Sequence, residues 1–399
     1  MSQVIAKRPI ENCAQASSAR HRPELDALRF FAFLSVFLFH ACRSFLPKRF
    51  NIELYEPLSS GLLLFFLLSS FLITHLLLRE LDTTGTVHVK GFYARRVLRI
   101  WPLYLSFLAG CYLLGLVLPH YHIETPRLLA FLFLSGNWYV GARGWGTSPI
   151  YPLWSISVEE QFYLIWPAVV MLGARFLKPA AFAITALSLC CIALQCRYGA
   201  SADKIWTNSL SQFLYFALGT LAAIYFAQRP IRKGMLRGVF SIALGVGSWW
   251  IIEAFSHIKA PGLQPRALPF VAGYGALGIS CVAVLYGFLA LPESFFPNWL
   301  TFLGKISYGL YVFHKLCQFM VPHLGLRGAV SKTVASFLAT VACASLSFQF
   351  LEKPFLKIKK RFAFNGDANF EPRKESDSHP TPSPAPESRT LPSLVLTGE

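Results

Sequence analysis

The chain has 399 residues, of which 54% are hydrophobic and only 14% charged, with a mean hydropathy of +0.47. A soluble domain of this length would carry about a quarter charged residues, so the composition excludes a soluble protein and points to an integral, polytopic membrane protein. The formal charge of +17 sits mostly in short segments beside apolar runs, as in positive-inside topology, whereas nucleic-acid binding would interleave a basic stripe with exposed aromatics.

Residues 1–24 are polar and hold no apolar core, so they read as a cytoplasmic N-terminal segment without a cleavable signal peptide. Apolar stretches near the length of about 20 residues that a crossing needs predict an all-α protein with ten transmembrane helices. These lie at about 27–46, 58–79, 101–118, 153–173, 179–197, 208–227, 235–255, 268–291, 300–321 and 332–351. A shorter apolar piece at 128–140 suits a re-entrant or interfacial segment. If it does not cross, the basic clusters at 90–99, 175–178, 229–233 and 353–361 all share one face, and both termini lie in the cytoplasm. The membrane domain then covers 25–358. Residues 363–399 change to Pro, Ser, Glu and Asp and read as a disordered cytoplasmic tail, too short for an appended catalytic domain. No internal repeat of the transporter kind is evident. The nine cysteines show no paired spacing, and His120 and His122 read as loop histidines, so no metal site is expected.

His40 lies inside the first span, where a titratable group is expensive and marks a functional site. Histidine accepts and returns protons near neutral pH, although a histidine hydrogen-bonded between packed helices explains the same residue equally well. Glu159 and Glu160 are adjacent near the start of an apolar helix, about 100° apart around its axis, so they should not share one role. A pair of charges at the membrane surface would also account for them. At 1.5 Å per residue, His40, Glu160 and His314 reach similar depths in the outer half of the bilayer, which suggests one shared cavity. Arg96 and Arg99, three residues apart, face the same way where a span meets the cytoplasm. Paired guanidinium groups suit phosphate, and the competing explanation is anchoring to anionic lipid. Arg29 is open to the same two explanations. A phosphate-binding mouth below a polar cavity fits a transferase, and it fits a proton-coupled transporter as well.

The motifs in order are Leu25-Asp26-Ala27-Leu28-Arg29 with His40, Phe65-Phe66 with Ser69-Ser70-Phe71-Leu72-Ile73, and Arg96 and Arg99 followed by Ile100 and Pro102. Then come the run from Trp154 through Glu159-Glu160 to Tyr163, Leu303-Gly304-Lys305-Ile306-Ser307-Tyr308 leading to His314, and Glu352-Lys353-Pro354. In these the chain resembles acyltransferase family 3, the OafA-like bacterial membrane O-acyltransferases, from about Arg22 to Pro354. Ala27 and Ser70 stand where that family usually has glycine, which alters how closely helices approach. The C-terminal hydrolase-like domain of some members is not seen in this chain.

The resemblance implies transfer of an acyl group, usually acetyl, from cytoplasmic acyl-CoA to a carbohydrate or glycolipid in a bacterial inner membrane, with no tightly bound cofactor. His40 would be general base or transient acyl carrier, with Arg29 as its partner arginine. Glu159 or Glu160 would orient the imidazole, Arg96 and Arg99 would hold CoA phosphates, and His314, Trp154 and Tyr308 would line the acceptor side. A surface polysaccharide or lipid-linked oligosaccharide is the expected acceptor. A small glycosylated metabolite such as a macrolide, a transporter and an inactive scaffold are the alternatives.

Overall fold

The computed structural model describes residues 22–47, 52–256, 258, 264–359 and 362. The tail expected at 363–399 and residues 1–21 of the N-terminal segment lie outside the described residues. Among the described residues every regular element is helical.

Helix α1 (Pro23–Phe45) starts with proline in its first turn, where the missing N–H has no partner to lose, and carries Glu24 and Asp26 against the positive end of the helix dipole. It stops at Leu46, which is extended ahead of Pro47. Helix α2 (Gly61–Thr84) ends on Gly85, whose φ of 73° is left-handed. Then follow α3 (Val89–Val117), α4 (Thr125–Leu132), α5 (Gly136–Arg143), α6 (Trp154–Met171), α7 (Ala174–Arg197), α8 (Ala202–Thr207), α9 (Ser209–Gln228), α10 (Met235–Ser256) and α11 (Ala267–Ala290). Helices α12 (Asn298–Lys305), α13 (Ser307–Met320), α14 (Ala329–Ser347) and α15 (Lys353–Lys359) are the last among the described residues, with a π turn at Phe348–Glu352 joining the last two.

Among the described residues, eight helical stretches are long and apolar enough to cross a membrane. The other two expected spans are α6, of 18 residues, and the α12–α13 pair, interrupted at Ile306. The piece expected at 128–140 is two helices of eight residues each, α4 and α5, and at about 12 Å apiece neither crosses.

Helices α1 and α2 are central, each 67% buried over its most apolar stretch, whereas α10 and α14 are peripheral at 17%. The outer helices turn Phe240, Leu244 and Leu338 outward, as lipid-facing helices do. Between α2 and α9, a Cβ on Gly219 would overlap the Leu67 carbonyl and the Ser70 hydroxyl. The hydroxymethyl that Ser70 brings to this contact is therefore accommodated by a glycine on the partner helix. Thr74 of α2 meets Thr220 of α9 at 3.2 Å and accepts from the Trp166 indole of α6 at 2.9 Å. Phe216 stacks on Phe66 at 5.1 Å and meets Phe162 at 4.4 Å, so three helices share one aromatic core.

Candidate active site

Two cavities lie back to back in the helix bundle. The smaller, about 120 Å³, is lined by Arg29, Arg96 and Arg99, by Ser69 and Glu159, and by Tyr163 and Tyr308. The larger, about 590 Å³, is lined by His40, Arg43 and Lys315 among aromatic walls from Trp145, Tyr151, Trp154 and Trp206. That volume is in the range of small-molecule clefts. Leu62 and Tyr311 line both cavities and form the partition between them. The Tyr311 hydroxyl is pinned there, donating to the Pro152 carbonyl at 2.9 Å and meeting the Ser155 hydroxyl at 2.7 Å.

The three arginines differ in how they are held. Arg29 pairs with Asp26, one turn back on α1, at 2.7 Å. Arg96 lies over the rings of Phe92 and Tyr163, at 5.7 and 5.3 Å from their centroids. Among the described residues neither Arg96 nor Arg99 makes a hydrogen bond or an ion pair, so most of their N–H donors remain for an occupant of the smaller cavity. A guanidinium offers five donors in a fixed fork, and two such forks beside Arg29 make a site for a polyanion.

The carboxylates divide as their 100° offset requires. Glu159 lines the smaller cavity and accepts from the Tyr163 hydroxyl at 3.3 Å. Tyr163 in turn bonds Ser69 across the cavity. Glu160 turns to α3 and accepts from the Trp101 indole at 3.2 Å. The cavities thus put Glu159 with the arginines and His40 on the other side of the partition, not together as the depth estimate suggested. The reason lies at the start of α6. Ile150, Leu153 and Trp154 are 0–3% exposed, so α6 begins inside the protein. Glu159 and Glu160 therefore sit deeper towards the arginine side than a helix starting at the membrane surface would place them.

His40 and His314 do come together, with ring centroids 5.1 Å apart and planes 21° from parallel. The His314 Nδ1 donates to the Tyr311 carbonyl at 2.6 Å, which leaves its Nε2 with the lone pair in the neutral ring. Trp154 lines the larger cavity, whereas Tyr308 lines the smaller one, its hydroxyl donating to the Ile100 carbonyl at 2.8 Å. His314 lines neither cavity: it is fully buried against the His40 ring, six residues, about 9 Å of helix, beyond Tyr308.

An acyltransferase domain family matches residues 22–348. The chain belongs to this family. It is 25% identical over 362 residues to a peptidoglycan O-acetyltransferase, OatA, of Listeria monocytogenes, covering 85% of this chain and 56% of the relative. It is 26% identical over 359 residues to YrhL of Bacillus subtilis, named a peptidoglycan O-acetyltransferase with that assignment unproven, covering 84% and 55%. It is 25% identical over 374 residues to the O-acetyltransferase OatA of Staphylococcus aureus, covering 87% and 59%. The chain thus spans a little over half the length of these curated relatives. No solved structure matches it.

Within this acyltransferase domain, sequence reasoning missed Tyr311, Tyr151, Trp206 and Lys315. The first three are aromatic residues of a chain that is 15% aromatic and carry no local signal. Lys315 did carry one, an ammonium in the middle of an apolar span, but it stands directly beside the histidine that drew attention.

Proposed function

We propose that this membrane acyltransferase moves an acyl group, acetyl in the simplest case, from cytoplasmic acyl-CoA to a sugar hydroxyl of a cell-surface glycan. One observation carries the proposal: an arginine-lined cavity and an aromatic, histidine-bearing cavity share a partition made by only two side chains, Leu62 and Tyr311. Arg96, Arg99 and Arg29 bind the phosphates of the donor. The thioester end of the donor passes Tyr311 to reach His40. The imidazole takes the proton of the acceptor hydroxyl as its oxygen bonds to the acyl carbon. The C–S bond breaks, and the proton goes on to the leaving thiolate. The aromatic walls of the larger cavity suit the faces of sugar rings, and the relatives' names support a surface glycan as acceptor.

The proposal sets the protein in a bacterial cytoplasmic membrane with the arginine cavity and both termini on the cytoplasmic side. Its partners are acyl-CoA, a carbohydrate or glycolipid acceptor, and lipid, with no tightly bound cofactor. The test is release of free CoA from acetyl-CoA by protein in nanodiscs with a panel of glycan acceptors. Acceptor-dependent release that disappears in His40→Ala, while acetyl-CoA still binds, is the expected result. Absence of release with every acceptor, in protein that is folded, refutes acyl transfer.

A further inference from the structure

Lys315 is 4% exposed and lines the larger cavity. Its ammonium donates to the Ser44 hydroxyl at 2.9 Å and lies 4.7 Å from the ring centre of Phe319 and 5.7 Å from that of Tyr151. A hydroxyl and two ring faces solvate a cation without neutralising it. Among the described residues Lys315 pairs with no carboxylate. Glu56 and Asp203 also line this cavity, yet neither forms an ion pair with it.

Three buried carboxylates elsewhere in this fold have a cation partner. Glu80 is paired with Arg95 at 3.2 Å, Glu24 with Lys233 at 3.3 Å and Asp26 with Arg29 at 2.7 Å. Among the described residues, the cations that line the two cavities without an ion pair are Arg96 and Arg99, where an anionic donor is expected, the exposed Arg43, and the buried Lys315. A buried ammonium that keeps its charge without a partner is costly, and an occupant that brings the counter-charge removes that cost.

We infer that the larger cavity selects an acceptor bearing an anionic group, a carboxylate or a phosphate, with the Lys315 ammonium as its counter-ion. The inference rests on the acyl-transfer reading only in taking this cavity as the acceptor side. Geometry places the anion near the reaction. Ser44, which holds Lys315, follows His40 by four residues on α1, and Lys315 follows His314 directly. The anionic group therefore sits about one helical turn, some 5 Å, beyond the imidazole. That is the span of one sugar ring or its immediate neighbour. Arg43, exposed on the same turn and lining the same cavity, adds positive charge at the entrance.

The test is calorimetric binding to the full chain in nanodiscs, using a glucuronic-acid disaccharide, its carboxyl-reduced form and a hexose phosphate. The wild-type protein should bind at least one charged probe about tenfold or more tighter than the reduced disaccharide, and the stronger of the two names the anion. Lys315→Met should remove the preference, and Lys315→Arg should keep most of it. Equal binding of charged and neutral probes, no binding of either charged probe, or a preference that survives Lys315→Met overturns the inference. If Lys315→Met does not fold, the wild-type comparison and Lys315→Arg decide. Transfer of acetyl to neutral glycans as readily as to acidic ones would sink the inference and leave acyl transfer standing. Tight acidic binding with no transfer to any acceptor would do the reverse.

Discussion

Replacing Arg99 by alanine removes a guanidinium that lines the smaller cavity and makes no hydrogen bond or ion pair among the described residues. The change removes no hydrogen bond from a buried group among the described residues, and buried Glu352, which loses a neighbouring positive charge, keeps its Ser347 hydrogen bond, so thermal stability should fall only modestly. Hydrogen bonds to charged groups contribute about 1.5–3 kcal/mol, so acetyl-CoA should bind roughly 10- to 100-fold more weakly at about 1.4 kcal/mol per decade. Titration of nanodisc protein with acetyl-CoA measures this directly. The same titration with S-acetyl-pantetheine, which carries no phosphate, should show no difference between Arg99→Ala and wild type. Arg95 is the internal control, one turn away and of the same charge. It pairs with Glu80, which is 2% exposed and also accepts from the His88 backbone N–H at 2.9 Å. Arg95→Ala should destabilise the fold by about 2 kcal/mol through the orphaned carboxylate while leaving acetyl-CoA affinity intact. If Arg99→Ala weakens both donors equally, or neither, the smaller cavity is not a phosphate site.

Two further expectations concern the scaffold. A Cβ on Gly304 would overlap the backbone of Asp26 at the head of α1, whereas one on Gly110 would meet nothing within 4 Å. Gly304→Ala should therefore lower stability by about 1–3 kcal/mol and Gly110→Ala should not, as read by thermal unfolding in detergent. Gln161 donates to the Leu134 carbonyl at 2.9 Å and to the Asn137 side chain at 3.0 Å, and accepts from Ser209 at 2.5 Å. Gln161→Ala leaves the fully buried Asn137 short of a partner and should destabilise by about 1–3 kcal/mol. A Gln161→Ala protein that melts with the wild type would show the network to be dispensable.

The membrane helices were legible because hydrocarbon thickness imposes a length that apolar runs report directly. The break at Ile306 was not, since one residue leaving helical geometry, at φ −90° and ψ 7°, changes nothing in the hydropathy of Leu303-Gly304-Lys305-Ile306-Ser307. Arg29, Arg96 and Arg99 stood out as cations at the end of apolar spans, and the structure does gather them around one cavity. The cavities separate His40 from Glu159 for a specific reason. Depth counting assumes that each span starts at the membrane surface, and the buried turn before Trp154 places the start of α6 inside the bundle. The walls supplied by Trp145 and Trp206 depend on contacts more than a hundred residues from His40 in sequence, which no local pattern encodes.

Four helices agree on where the partition lies. On α1, Arg29 belongs to the smaller cavity and His40 to the larger, about 16 Å further along. On α13 the order is Tyr308, then the shared Tyr311, then Lys315. On α2 with the turn that leads into it, and on α6, the order is reversed, Ser59 before Leu62 before Ser69, and Trp154 before Glu159. Antiparallel neighbours crossing one plane must show that reversal. The plane falls at Leu62 and Tyr311, so thinning it should join the two cavities and admit water to the donor. Leu62→Ala is expected to raise release of CoA from acetyl-CoA in the absence of any acceptor, by hydrolysis, and to lower the fraction of acetyl captured by a glycan. Truncating a buried leucine also destabilises by about 2–5 kcal/mol, so Leu64→Ala serves as the control. Leu64 is equally buried and lines neither cavity, and it should lose stability without the leak. Equal leakage in both variants, or in neither, would mean that Leu62 does not separate donor from acceptor.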